Sequence, residues 1–369
     1  MRAVRTSMKT ELIPIDSLHP EQALIDQAAA LLRAGGVVVF PTETVYGLGA
    51  DALRAQAVER IFLAKDRPFS DPLIVHIASA DALKILTTEM PPYLELLAGM
   101  FWPGPLTLIV PRGLQVPRIV TAGLDTVAVR MPRHPVALAL IRALGSPIAA
   151  PSANRFKHVS PTTAQHAYAD LNGRVPLILD AGQCEVGVES TVLDLCSDVP
   201  TILRPGGTSL EALQAVLPDV RYAPHHKLDQ EDVRNEMEAQ RAPGQLLTHY
   251  APAIPLILYE GSAEAMRSAM LAEARRRQES GERVGALIAD EDAPAFAESN
   301  AIIHSLGAAT APEQVAASLF AGLRALEMAG VEVILCRSFA ASGLGLAVRD
   351  RLLRAASERV IAGDRGDVC

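Results

Sequence analysis

The sequence predicts an α/β protein built as two domains, and three observations predict it. Apolar runs of four to six residues recur through the first 205 positions, with helical patterns between several of them; a charged stretch of little periodicity interrupts the chain; and a second, shorter alternation of strand and helix patterns follows. At 369 residues, with 49% hydrophobic and 21% charged side chains, the chain is too long for one ordinary domain and apolar enough to fill two cores. The expected division is a mixed twisted sheet with helices over 1–217, a linker over 218–253, and a smaller open parallel-sheet domain over 254–369.

The first helical pattern is EQALIDQAAALLRAGG, with Pro20 near its first turn and Gly35 and Gly36 past its end. The expected strands are VVVF (37–40), PLIVHI (72–77), LTLIVP (106–111), VAVRM (127–131), PIAA (147–150), LILD (177–180), STVLDL (190–195) and TILRP (201–205). AQAVERIFLAKD, HPVALALIRALG and PTTAQHAYADL supply helices between them, the last read as starting at Ser160 and Pro161 with Ser160 as its N-cap. From about 218 the chain turns to charge and proline, a linker whose end, LLTHYAP, brings an aromatic and a histidine that could fold back over a site. IPLILYE then opens the second unit, followed by a helix over 262–278, strands at VGALIA and AIIHSL, a helix over 312–329, VEVILC and a final helix. This alternation is Rossmann-like, but SGLGLAV at 342–348 has Val348 where the dinucleotide fingerprint wants Gly or Ala, and there is no Walker GxxxxGK[ST].

Bulk properties narrow the function. With 42 acidic residues against 34 Lys plus Arg, the formal charge of -8 disfavours a whole-surface grip on nucleic acid, leaving room for a local basic cleft. The first residues carry no apolar secretory core, and no apolar stretch reaches the ~18 residues of a membrane span, so a cytoplasmic protein with no membrane partner is expected. Cys184, Cys196, Cys336 and Cys369 lack CxxC spacing, which favours reduced thiols over disulfides or zinc. GxSxG, HExxH and His-rich clusters are absent from the sequence, so tightly bound metal and elbow-type hydrolysis have no support.

Several residues can carry chemistry. Lys65 and Arg67 lie where a helix breaks into the loop before PLIVHI; they either complement a helix dipole at the surface or hold two parts of a polyphosphate. Ser152 and Asn154 follow the strand PIAA, and with Ser160 they suit helix capping or phosphate contact. Arg130 and His76 interrupt apolar strands. A buried arginine must snorkel, pair with an acid or meet an anionic ligand, and the histidine has an ordinary alternative as a hydrogen-bonded core residue. Glu189, Ser190 and Thr191 precede VLDL, and Arg204 before Pro205 could add a third cation to a phosphate site.

Taken in order, PTETVYGLGADA (41–52), KDRPFSDPLIVHI (65–77), FWPGPLTLIV (101–110), TVAVRMPRHP (126–135), APSANRFKHVSPT (150–162), VGVESTVLDL (186–195) and ILRPGG (202–207) resemble the YrdC-like threonylcarbamoyl-AMP synthases. APGQLLTHYAP and GLGLAVRDRLLRAA resemble the long, two-domain form, so the resemblance covers nearly the whole chain. It implies a YrdC-like first domain and synthesis of L-threonylcarbamoyl-AMP from L-threonine, bicarbonate and ATP, with Mg²⁺ arriving on the ATP and pyrophosphate leaving. The product would pass to a separate tRNA threonylcarbamoyl transferase acting on adenosine 37, and a weak direct contact with tRNA is compatible with this. By the family pattern Thr44, His76, Arg130, Ala150 and Ser190 would surround threonine, while Lys65, Arg67, Asp71, Thr126, Ser152, Asn154, Ser160, Arg204 and Tyr250 would surround ATP. Lys65 and Arg67 would neutralise charge during transfer, and Tyr250 on the linker would belong to a lid that limits water. Asp71 and Asp350 stand where the family usually has asparagine, and Lys157 and His158 occupy a loop that often contains glycine. The competing reading is a nucleic-acid-binding module, because YrdC-like domains also resemble RNA-binding proteins with a concave positive face.

Overall fold

The computed structural model describes residues 8–223 and 251–363. The chain divides into two units, residues 1–156 with 160–246 and residues 157–159 with 247–369. In the first, eleven strands form one mixed sheet: β1 (Glu11–Pro14), β2 (Val38–Phe40), β3 (Gly47–Asp51), β4 (Ile74–His76), β5 (Leu106–Pro111), β6 (Thr126–Arg130), β7 (Ile148–Ala149), β8 (Leu177–Asp180), β9 (Thr191–Asp194), β10 (Thr201–Arg204) and β11 (Arg221–Tyr222). Their order is β1-β8-β2-β3-β7-β4-β6-β5-β9-β10-β11. Each apolar run expected to be a strand in this half contributes one. The sheet also takes in Arg221 and Tyr222, paired parallel to β10, inside the stretch that composition assigned to the linker.

One strand in the middle of the sheet was not anticipated. β3 reads GLGAD, and its glycines conceal it from a search for β-branched runs. The reason is packing: a Cβ on Gly49 would lie 2.6 Å from Phe40 and 2.7 Å from Ile148, so the neighbouring side chains fill that space instead.

Two helices show why one face of the sheet is divided. Helix Gln22–Arg33 buries Ile25, Ala28, Ala29 and Leu32, the i, i+3, i+4, i+7 stripe of an amphipathic helix, and Gly35 follows it with φ 79°. Helix Pro135–Leu144 has proline in its first turn, and the His134 side chain accepts from the Val136 N–H. Their apolar residues form one cluster with Val38, Phe40, Ile148, Ala150, Leu177 and Leu179. Further along, Ile74, Ile109, Ala128, Val192 and Leu203 make a separate cluster drawn from strands alone. The opposite face carries the largest core, including Val75, Val129, Leu108 and Leu193, as strand alternation requires.

The helix expected from Ser160 begins later. It spans Ala164–Leu171, and Thr163 is its N-cap, accepting from the His166 N–H. Residues before it are held in irregular backbone, with the Tyr46 N–H on the Pro161 carbonyl and the Cys184 N–H on that of Thr162. Ser160 is therefore free of capping duty and serves a different partner, described below.

The second unit is a five-stranded, all-parallel sheet, with β12 (Leu256–Gly261), β13 (Val284–Ile288), β14 (Ile302–Ser305), β15 (Val333–Arg337) and β16 (Glu358–Ala362) in the order β14-β13-β15-β12-β16. The strand β16 follows the final helix Gly345–Ala355 and is the one member the sequence pattern did not reveal, because it lies largely exposed at the sheet edge. Asp350 is buried there in ion pairs with Arg351 at 2.6 Å and Arg354 at 3.0 Å. Lys157 has φ 68°, a conformation that favours glycine, which explains why glycine suits this loop. Lys157→Gly is expected to be neutral or to stabilise by up to about 1 kcal/mol in a denaturant titration.

Among the described residues no helix is long and apolar enough to cross a membrane. Cys184, Cys196 and Cys336 are not in disulfides.

Candidate active site

Strand register gathers the expected residues. His76 pairs with Arg130 across β4 and β6, Ala128 with Ile109 across β6 and β5, Thr107 with Val192 across β5 and β9, and Val192 with Arg204 across β9 and β10. Alternation therefore puts His76, Arg130, Thr107 and Arg204 on the same face as the strand-only cluster of Ile74, Ile109, Ala128 and Val192. Ala150 joins them through its N–H on the Ile74 carbonyl. Thr126, half-buried, begins β6 on this face.

Arg130 is almost fully buried, so its charge has to be met inside the protein. Its Nη2 lies 2.7 Å from Glu43 Oε1, its Nη1 donates to Thr44 Oγ1 at 2.9 Å, and its Nε donates to the Gly104 carbonyl at 3.2 Å. The Thr44 hydroxyl is itself orientated. Thr42 Oγ1 donates to the Val45 carbonyl at 2.6 Å, so in the 2.8 Å Thr42–Thr44 contact the proton must come from Thr44. Thr44 thus presents acceptor lone pairs around Arg130.

His76 is buried, and its pKa is pushed down to about 3, first by burial and then by the Arg130 charge. The imidazole is neutral at physiological pH, and its Nδ1 makes no hydrogen bond among the described residues. Backbone of Ile74 and Ile148 lies within hydrogen-bonding reach of the ring, so its place in the strand is partly satisfied from within the sheet. The depressed value also fixes the sign of a pH effect: between pH 6.5 and about 3 the unfolded chain binds a proton that folded His76 refuses, so stability falls as pH falls. The loss approaches about 1.4 kcal/mol per pH unit. Melting curves from pH 7 to 4 are expected to be shallower in their pH dependence for His76→Gln than for the parent.

Ser190 and Arg204 meet next to this group. The Arg204 guanidinium donates to the Ser190 carbonyl at 2.9 and 3.2 Å and to Ser190 Oγ at 3.1 Å, while Ser190 Oγ also contacts Thr107 Oγ1 at 2.8 Å. Ser160 Oγ donates to Glu189, which anchors the segment before β9. Gly206 closes against this segment so tightly that a Cβ would collide with the Glu189 carbonyl and the Ser190 backbone. Backbone cannot swing aside, so Gly206→Ala is expected to cost about 3 kcal/mol, measured by denaturant unfolding.

The second grouping forms around Lys65. It is the last residue of helix Ala55–Lys65, which ends because Asp66 adopts a left-handed conformation, φ 55°. Lys65 is 1% exposed and Arg67 7%, so neither is a surface residue complementing a helix dipole. Lys65 Nζ donates to the carbonyls of Ser152 and Asn154, tying the helix end to the loop after β7. In that loop Ser152 Oγ donates to Asn154 Oδ1, and Asn154 Nδ2 donates to the Arg155 carbonyl at 2.8 Å. Arg67 donates to the Pro72 carbonyl at 2.9 Å and pairs with Asp71 at 2.9 Å. Asp71 is fully buried, and its negative charge is matched by Arg67.

The structure thus collects Thr44, His76, Arg130, Ser190 and Arg204 in one group and Lys65, Arg67, Asp71, Ser152 and Asn154 in another. Tyr250 lies outside the described residues. Thr42, Glu43 and Thr107 were missed as site residues. The available signal was the polar run PTET between two buried strands, where burial of a glutamate demands a cationic partner.

Comparison with known proteins follows the same division. A family model described as telomere recombination, the Sua5, YciO and YrdC model, matches residues 30–206, and one described as threonylcarbamoyl-AMP synthase, C-terminal domain, matches residues 208–357. The threonylcarbamoyl-AMP synthase of Bacillus subtilis is 46% identical over 348 residues, covering 94% of this chain and 96% of the relative. That of Pyrococcus abyssi is 43% identical over 346 residues, covering 92% and 96%. The crystal structure of P. abyssi Sua5 complexed with L-threonine superposes with a TM-score of 0.88 at 41% identity, covering 96% of this chain and 100% of that one.

Proposed function

This chain belongs to the threonylcarbamoyl-AMP synthase family, and from that premise we propose how its residues make the product. It is a transferase of tRNA processing that forms L-threonylcarbamoyl-AMP, the intermediate of threonylcarbamoyladenosine synthesis, and L-threonine is its substrate. We infer that ATP and bicarbonate are the other substrates.

Threonine's ammonium first gives a proton to solvent; the free amine then attacks the carbon of CO₂, releasing a second proton, or that of bicarbonate, releasing water, to give a carbamate. A carbamate oxygen then attacks the α-phosphorus of ATP and pyrophosphate leaves. Arg130, already neutralised by Glu43, takes the amino-acid carboxylate, with Thr44, neutral His76 and Ser190 around the rest of threonine. The apolar floor of Ile74, Ile109, Ala128 and Val192 gives a water-poor bed for the nucleotide, flanked by Thr126 and Ala150. Lys65 and Arg67, with Ser152 and Asn154, grip the triphosphate from the loop side, and Ser160 and Arg204 approach from the other. The observation that carries this reading is the burial of Lys65 and Arg67, cations removed from solvent beside a serine and asparagine loop. Their charge stabilises the phosphoryl oxygens as pyrophosphate departs, with no covalent protein intermediate.

Mg²⁺ arrives bound to the ATP phosphates. Among the described residues no three metal-ligating side chains come together, and an ion coordinated by phosphate and water needs few protein ligands. The hydrolysable product passes in the cytoplasm to a tRNA threonylcarbamoyl transferase. A direct tRNA contact of this protein is at most weak, given the charge of -8.

The test is release of pyrophosphate from ATP with each substrate omitted in turn. Release that requires both threonine and bicarbonate and no tRNA is the expected result. Threonine-independent ATP hydrolysis, or salt-sensitive tRNA binding without turnover, would contradict it.

A further inference from the structure

Glu43 lies beside the residue assigned to the substrate carboxylate, yet no role in the reaction has been given to it. It is 3% exposed, and Oε1 is 2.7 Å from Arg130 Nη2. Apart from that contact neither of its carboxylate oxygens has a hydrogen-bond partner among the described residues, whereas a buried carboxylate ordinarily accepts several. Next to it, Thr44 is held as an acceptor by the chain of hydroxyls that ends on the Val45 carbonyl. Arg130 has five N–H groups, and its three protein contacts leave donor capacity for one more anion.

We propose that Glu43 is a specificity-determining residue that takes the ammonium group of L-threonine, so that the Glu43–Arg130 pair reads the amino acid as a zwitterion. The proposal rests on the reading that Arg130 takes the carboxylate. A guanidinium and a carboxylate side by side match an ammonium and a carboxylate one carbon apart, each charge facing its opposite. A simple carboxylic acid would bring its negative charge towards Glu43 with nothing to offset it, and a simple amine would do the same towards Arg130. Either mismatch is costly where water is excluded, so the pair selects α-amino acids by repulsion as well as attraction. The one lone pair of Thr44 that Arg130 does not occupy completes the ammonium's surroundings.

Titration calorimetry with L-threonine and with 3-hydroxybutanoate, which keeps the carboxylate and hydroxyl but has hydrogen in place of the amine, separates this role from mere positioning of Arg130. Glu43→Gln is expected to weaken threonine by about 10- to 100-fold, the range for a charge-assisted hydrogen bond, and to leave 3-hydroxybutanoate unchanged or tighter. The preference for threonine then collapses. Equal weakening of both ligands would assign Glu43 only to holding Arg130, and no weakening of threonine would overturn the proposal outright. Should the glutamine variant not fold, Glu43→Asp retracts the carboxylate by one methylene and is expected to weaken threonine alone; equal weakening again refutes it. Arg130→Lys tests the underlying reading separately: it is expected to weaken both ligands, and unchanged binding of both would remove the carboxylate role while identifying that as the failed step.

Discussion

Lys65→Ala lowers threonine-dependent pyrophosphate release by about 10²- to 10³-fold, the loss expected when one preorganised charge is removed from a phosphoryl-transfer site. Arg67→Ala has an effect of the same order. The two differ in what else they disturb. Lys65 bonds the Ser152 and Asn154 carbonyls, so its removal also loosens the loop that carries those side chains. Arg67 matches the buried Asp71, so its removal leaves an uncompensated carboxylate at the site proposed for the triphosphate. A single-turnover assay, which isolates the chemical step, checks both variants: a fall in the transfer rate at saturating ATP supports the phosphate role. Full activity in both variants, with normal binding of threonine and ATP, would refute that role.

Arg130→Ala combines two losses. The guanidinium proposed to meet the substrate carboxylate is gone, and Glu43, 3% exposed, is left without its 2.7 Å partner. Breaking a buried ion pair from one side costs about 3–5 kcal/mol, so the variant is expected to unfold at clearly lower denaturant concentration as well as to lose threonine binding. Adding Glu43→Gln to Arg130→Ala should restore most of that stability without restoring turnover. Paired unfolding curves and activity assays check the prediction. A double variant as unstable as Arg130→Ala would show that the charge of Glu43 is not what the arginine offsets.

How far the sequence reveals this site depends on which residues the argument needs. Arg130 and His76 were legible because a polar side chain inside an apolar strand has few affordable fates, and strand period then puts both on one face. Their partners were not. Thr44 and Arg130 are 86 positions apart, and nothing in the local pattern of either says that the PTET turn will reach β6. For Lys65 and Arg67 the spacing left surface and site readings open, and their burial removes the surface one.

The errors have physical causes too. Ser160 looked like an N-cap because it precedes a proline and a helical pattern, but Thr163 sits three residues later with the same chemistry and a better position. β3 was passed over because Gly49 is chosen for the closeness of Phe40 and Ile148, a tertiary demand that overrides strand propensity. Gly206 belongs to the same class: an Arg-Pro-Gly-Gly turn is ordinary in sequence, and its requirement for a bare backbone appears only where Glu189 and Ser190 press against it. Motif order across the chain, by contrast, indicates the family by itself, since long-range geometry is already encoded in which motifs occur together.

Mass spectrometry of the nucleotide made from ATP, L-threonine and ¹³C-labelled bicarbonate, with pyrophosphate measured in parallel, tests the central claim most directly. The account predicts an adenylate containing one labelled carbon and one threonine for each pyrophosphate released. Formation of ADP and phosphate, or of AMP carrying neither label nor threonine while threonine and bicarbonate are present and the product is trapped as it forms, would contradict it.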